Sequence, residues 1–418
     1  MKPSLNAFAV SDDRVRTNLL RKQLKAVMND QAERREPQYP TPYTLVSTNG
    51  CFHAVMERIR GARRLAIDTE ADSLYHYFEK VCLLQLSTDD ETFIIDPLVI
   101  TVVGELGPLM SDPSVEKVFH AAGYDIFCLQ RDYGFTFTNI FDTHLAGSLL
   151  GYEFLGLGAM METLLGIHHS KGCQRDDWSM RPLLAEQLEY AAMDTHHLLS
   201  LRDALEKELL RKNRLEWALE EFAETAAAER AEKEFDPEGF RRIKGFHTLD
   251  VRKRLVLRTL YLFRDEAARK FDAPPFKVMN NSVLADLARR PPLSVQELFK
   301  RPGVSYRVAR KFGAEIMDLI AAAGEEDPMV LDLPPRAAAK PPGRAARHSL
   351  ELLKKWRQCK AEELKLSVGV IFPANILENL AAAPPADFDE FLAFPGMRRW
   401  RALEFGREIL QTLHGAND

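Results

Sequence analysis

The sequence predicts an α/β layer domain with a mixed central sheet, followed by two all-helical modules. Three observations carry this. Between about 46 and 213, short apolar strands precede and then mix with amphipathic helices. From about 214 onward the apolar spacing is helical. The C-terminal half also repeats itself: shifted by 93 residues, it overlies itself without a gap.

Residues 1–45 are polar, with a candidate helix in VRTNLLRKQLKAVMND before the Pro-rich REPQYPTPY, and read as an extension that leans on the next domain. In the domain at 46–213, strands are expected at Arg64–Asp68, Val81–Ser87, Thr92–Ile95 and Val118–His120. The turn-like TDDE separates the second and third. Helices follow at about 123–132, 142–151 and 183–211. The charged stretch at 214–238 reads as a connecting helix.

The repeat defines a first helical module at 239–323 and a second at 347–415. PGVSYRVARKFGAEI (302–316) overlies PGMRRWRALEFGREI (395–409). Leu284, Leu287 and Pro291 fall on Leu377, Leu380 and Pro384. The Pro/Ala-rich segment at 324–346 is an extended linker by composition.

The chain has 418 residues, 46% of them hydrophobic and 28% charged, which excludes collagen-like, mucin-like and wholly disordered classes. No apolar run approaches the roughly 20 residues of a membrane span. The N-terminus does not read as a secretory signal. Five cysteines, odd in number and without C-x-x-C, argue against a disulfide framework and a thiolate zinc site. A cytoplasmic setting is expected.

The net charge of −5 conceals a split. Residues 1–240 hold 25 basic and 39 acidic side chains; residues 241–320 hold 18 and 8; residues 321–418 hold 13 and 14. An acidic block before a basic one fits a metal-binding half and a half that meets polyanions. Drift of surface charge for solubility gives the same pattern.

Three acidic clusters could carry chemistry. Asp68 and Glu70 are i and i+2 at the end of an apolar strand, so they face the same way. Carboxylates of this kind suit Mg²⁺ or Mn²⁺, although a polar strand end entering a loop reads alike. Asp125 starts an amphipathic helix, where an acid also serves the helix dipole. Tyr190 and Asp194 are i and i+4 on one helix face, and an Asp amid Ala, Met and Leu needs a partner. Together, four acids with a tyrosine beside the last suit a two-metal phosphoryl-transfer site, with cations about 4 Å apart.

AIDTEAD, HAAGYD and YAAMD resemble the three motifs of the DEDD superfamily of exonucleases, in its tyrosine-bearing branch. FDTHLAGSLLGY and KGCQRDDWSMRPL resemble segments of its bacterial ribonuclease D family. The 93-residue repeat resembles two copies of the helicase-and-ribonuclease-D-C-terminal (HRDC) module. The resemblance covers about 46–415. It implies a ribonuclease-H-like exonuclease fold and a hydrolytic 3′→5′ exoribonuclease that releases nucleoside 5′-monophosphates. Asp68, Glu70, Asp125 and Asp194 match the acids that hold two divalent cations, Mg²⁺ or Mn²⁺. Tyr190 matches the residue that orients the attacking water. The implied partner is RNA with a single-stranded 3′ end, transfer RNA precursors among them. Gly123-Tyr124 depart from a more polar pair before the second acid, and residues 1–45 are a stretch that the family largely lacks.

The secondary candidates each have a bland reading beside the functional one. His120 could touch a phosphate or be a packed histidine. Gln85 could face the site or stack in the sheet. Lys171, Arg175, Trp178 and Arg181 form a basic-aromatic segment that could bind phosphates and stack a base. An ordinary loop whose Trp plugs the core is the alternative. Lys300, Arg301, Arg307, Arg310 and Lys311 surround the first module's Pro-Gly turn, a place for backbone-phosphate contacts or a solvated face. The near-neutral second module suits a protein partner better than RNA. The rival functions are a DNA-directed 3′→5′ exonuclease and an inactive nucleic-acid scaffold.

Overall fold

The computed structural model describes residues 41–169, 172–229, 234–325 and 343–415. The candidate helix before the Pro-rich stretch and most of the linker at 324–346 lie outside them. The first domain begins with β1 (Thr44–Val46), α1 (Asn49–Ile59), β2 (Arg64–Ala71), β3 (Val81–Ser87) and β4 (Thr92–Ile95). A 3₁₀ turn runs into α2 (Gly107–Ser111), then come β5 (Glu116–Phe119), α3 (Gly123–Tyr133) and β6 (Ile140–Asp142). Five helices close the domain: α4 (Thr143–Leu150), α5 (Leu157–Leu165), α6 (Ala185–His196), α7 (Leu198–Arg211) and α8 (Leu215–Ala227).

The six strands lie in the order β1-β4-β3-β2-β5-β6. Strand β3 runs antiparallel to its neighbours β2 and β4, and β1, β5 and β6 join in parallel. Every residue of β3 and β4 is buried, because helices cover both faces of the sheet centre.

Several boundaries differ from expectation: β2 runs past Asp68 to Ala71, and β5 spans Glu116–Phe119 rather than Val118–His120. Strand β1 starts before residue 46, inside the expected extension, and Thr41 just before it donates twice to Glu189 Oε1. Both edge strands, β1 and β6, have three residues, too few for a readable alternation. The expected helix at 183–211 breaks at His197 (φ −103°, ψ 4°). The end of α6 is pinned to the sheet by Ser87–Thr195 (2.8 Å) and Thr92–His196 (2.9 Å) bonds, and α7 leaves to cover α4 and α5.

The helical half shows the repeat directly. The first module is α9 (Val251–Lys270), α10 (Pro275–Val278), α11 (Asn281–Arg289), α12 (Val295–Phe299) and α13 (Tyr306–Glu325). The second is α14 (Arg344–Leu364), α15 (Val368–Ile371), α16 (Ala374–Ala382), α17 (Phe388–Leu392) and α18 (Arg399–His414).

The two copies attach differently. The first has its own core around Leu257, Leu260, Leu284, Leu287 and Ile316. It grips the β2–β3 loop through Asp272, which accepts from Tyr77 N (3.0 Å) and Phe78 N (3.1 Å) and pairs with His76 Nδ1 (2.7 Å). The core of the second is continuous with that of the exonuclease-like domain. Trp400 stacks on Trp217 of α8, with centroids 4.4 Å apart and planes 17° apart. Arg401 pairs with Glu221 (2.8 Å) and Arg398 with Glu224 (2.9 Å). Gly151 (φ +87°) packs so tightly there that a Cβ would lie 2.2 Å from the Lys365 carbonyl oxygen.

The connecting segment after 214 forms a helix of 13 residues, α8, whose inner face of Trp217, Ala218 and Phe222 is buried. The face of the second module around Arg398–Arg401 is occupied by the chain's own α8.

Candidate metal centre

Strand β2 delivers the first two acids. Asp68 lies opposite Gln85 of β3 and Glu70 opposite Leu83, and the register slips just after Glu70. The apolar half of the strand, Leu65–Ile67, is fully buried and fixes that register. Helix α6 packs across β2, β3 and β4 and carries Asp194 and, one turn earlier, Tyr190. One carboxylate oxygen each from Asp68, Glu70 and Asp194 lie within 4.8 Å of one another. Asp125, in the first turn of α3, joins the edge of this group and accepts from the Thr69 hydroxyl at 2.6 Å.

The cluster is crowded with like charge and partly withdrawn from solvent. Burial, and then the neighbouring acids, push the Asp68 and Glu70 carboxyls well above the usual range. Burial lifts Asp125 to about 7, against the pull of the Thr69 hydroxyl. Burial also raises Asp194, against the pull of His169, whose Nε2 lies 2.7 Å from Asp194 Oδ1. The Tyr190 phenol is held firmly protonated, first by burial and then by Asp194, Glu70 and Asp68.

The donor set fits divalent cations that favour oxygen. Among the described residues, Asp194 Oδ2 is buried without a hydrogen-bond partner. So are both amide atoms of Gln85, which shares a sheet face with its cross-strand neighbour Asp68. Buried polar atoms of this kind ordinarily have a partner.

The secondary candidates divide. His120 is a packed histidine: Nδ1 lies 2.9 Å from Thr143 Oγ1, its ring meets His144 edge-on, and burial lowers it to about 4. It is therefore uncharged near neutrality and is no phosphate-binding cation. Trp178 is 1% exposed and packs with Cys82, Ala191 and Ala192 beneath Tyr190, so it cannot stack a base. Arg181 spends its donors on Asp96 (2.6 and 2.8 Å) and on the carbonyls of Cys82, Trp178 and Met180. Arg175 is exposed and Lys171 lies outside the described residues.

In the first module Arg301 is tied to Glu297 (2.7 Å) and the Arg290 carbonyl (2.8 Å), which removes it as a phosphate contact. Lys311 rests 3.4 Å from the Phe271 ring centroid. Lys300, Arg307 and Arg310 stand exposed. The sequence reading missed Thr69 and His169. Thr69 sits inside the first motif, where only the acids draw notice. His169 lies in an irregular stretch with no periodicity to mark it.

The fold and the acidic centre define a DEDD-type 3′→5′ exonuclease. A family model described as 3′-5′ exonuclease matches residues 43–210, and one described as HRDC domain matches 253–320 and 348–413. Ribonuclease D of Gluconacetobacter diazotrophicus is 30% identical over 380 residues, 90% of this chain and 94% of that one. An exosome complex component 10 homolog of Caenorhabditis elegans is 33% identical over 263 residues, 62% of this chain and 30% of that one. The crystal structure of Escherichia coli RNase D, described as an exoribonuclease involved in structured RNA processing, superposes with a TM-score of 0.65. It is 25% identical and the match covers 90% of this chain and 99% of that one. The chain belongs to the ribonuclease D family. It is a hydrolytic 3′→5′ exoribonuclease. No helix among the described residues is long and apolar enough to cross a membrane.

Proposed function

We propose that the chain shortens single-stranded 3′ ends of structured RNAs, transfer RNA precursors among them, one nucleotide at a time. Asp68, Glu70, Asp125 and Asp194 hold two divalent cations, Mg²⁺ or Mn²⁺. The observation that carries this is the convergence of three carboxylate oxygens within 4.8 Å, Asp194 buried and Asp68 and Glu70 partly buried. So many like charges are stable together only when a cation or protons offset them. When bound, the cations supply charge neutralisation at the scissile phosphate and a water acidic enough to attack at neutral pH.

The protein's own groups do the rest. Tyr190, protonated throughout the working range, orients the attacking water through its hydroxyl. Thr69 keeps Asp125 in place. The exposed Lys300, Arg307 and Arg310 attract the RNA body through its phosphates, as point charges without sequence preference. The working division is an exonuclease domain at 46–213 with modules at 239–323 and 347–415, adjusted by β1 and by the docked α8. Five free cysteines support a reducing, cytoplasmic setting.

The test is a time course on 5′-labelled RNA with an unpaired 3′ tail, beside the same sequence as DNA. A metal-dependent ladder shortening from the RNA 3′ end, absent in Asp194→Ala, is expected. A stronger ladder on DNA, or none on either, overturns the reading.

A further inference from the structure

Asp194 is the one acid of the close trio that comes from a helix, and its two oxygens have different surroundings. Oδ1 lies 2.7 Å from His169 Nε2, whereas Oδ2 has no partner among the described residues. The pair is nearly sealed from solvent, with side-chain exposures of 6% for His169 and 7% for Asp194. His169 belongs to none of the three motifs. It sits beyond α5, pressed onto that helix: a Cβ at Gly158 would lie 2.9 Å from the His169 carbonyl oxygen. The imidazole also lies against the Tyr190 ring, with centroids 5.2 Å apart and planes 34° apart. One side chain thus touches both the last acid and the tyrosine one turn before it.

A lone aspartate rotates about its side-chain bonds and presents either oxygen. A donor fixed on one oxygen sets the direction of the other. The geometry points to His169 as a positioning residue for the cation site: its Nε2–H holds Asp194 Oδ1 and so leaves Oδ2 as the ligand atom, while its ring braces Tyr190. This rests on the reading of Asp194 as a cation-holding acid. His169 is not an extra ligand, because the nitrogen that faces the cluster is already engaged with the carboxylate. Outer partners of ligating carboxylates typically contribute about 10–100-fold to metal affinity.

The test is Mn²⁺ binding to the full chain without RNA, by isothermal titration calorimetry, together with the melting temperature of the metal-free protein. His169→Ala is expected to weaken Mn²⁺ about 10–100-fold at a near-native melting temperature. Its single-turnover rate should recover in part at saturating Mn²⁺, with the shortfall reporting the lost brace on Tyr190. His169→Gln, whose amide donor reaches the same region as Nε2, should regain most of the affinity. Native affinity in His169→Ala overturns the inference. Equal weakening in the Ala and Gln variants also overturns it, because returning a donor without the ring would then restore nothing, and the ring rather than the hydrogen bond would be what matters. Asp194→Asn separates the two readings: if it binds Mn²⁺ like the native chain, the cation reading itself fails.

Discussion

The Thr69 hydroxyl donates to Asp125 Oδ1 at 2.6 Å. The residue between the first two acids therefore reaches the third, so strand β2 serves three of the four carboxylates. Thr69→Val keeps the shape and β-branching and removes only the donor. A hydrogen bond to a charged group contributes about 1.5–3 kcal/mol. Losing it should cut kcat/KM near neutral pH by about 10–100-fold. The Thr69 hydroxyl holds the Asp125 carboxyl down, so the acidic limb of the pH–rate profile should also move to higher pH. An unmoved limb would contradict this.

The crowded acids tie stability to pH and metal. All four carboxyls are raised in the folded chain, so it binds their protons more tightly than the unfolded chain does. Their contribution to stability is full below the ordinary carboxylate range, near about 4. It is lost as pH rises through the Asp125 value of about 7. Divalent cations replace the protons. The rise in melting temperature on adding Mg²⁺ to chelator-treated protein should be small at acidic pH and large at alkaline pH. A shift independent of pH would count against it.

Asp68→Asn removes one of these charges while keeping the side-chain volume. Losing cation-borne charge stabilisation worth several kcal/mol corresponds to a rate loss of about a thousandfold or more. The metal-free variant should melt higher than the native chain at alkaline pH, because Asp68 is destabilised by burial and by Asp125, Asp194 and Glu70. Activity assays and scanning calorimetry check both signs.

The sequence was legible where periodicity and chemistry coincide. Strands β3 and β4 are legible to the residue because each is a short, mostly apolar run and the turn-like TDDE parts them. The acids stood out because carboxylates at a strand end and amid Ala and Met are costly without a purpose. The three-residue edge strands gave no period. Trp178 and Arg181 misled because an indole and a guanidinium suit a core and its carbonyls as well as they suit RNA. Charge counting suggested an outside protein partner for the second module. It could not show that Glu220, Glu221 and Glu224 of this chain supply the complementary charge.

That docking makes a further prediction. Trp400→Ala empties the stack on Trp217 and should cost about 3–5 kcal/mol, read as a lower denaturation midpoint. The melting of the exonuclease domain and second module should stay a single event, since they share one core. Separate transitions would show that the two fold apart.

The stacked tryptophans also impose an order on synthesis. Trp217 leaves the ribosome well before the closing helix that carries Trp400 has been made. Domains generally begin to fold as they emerge. During that interval the nascent enzyme carries an uncovered aromatic ledge, the kind of surface that invites association. The last helix covers it. A chain cut short before that helix keeps its ledge open, so a segment made late decides whether one made early is finished.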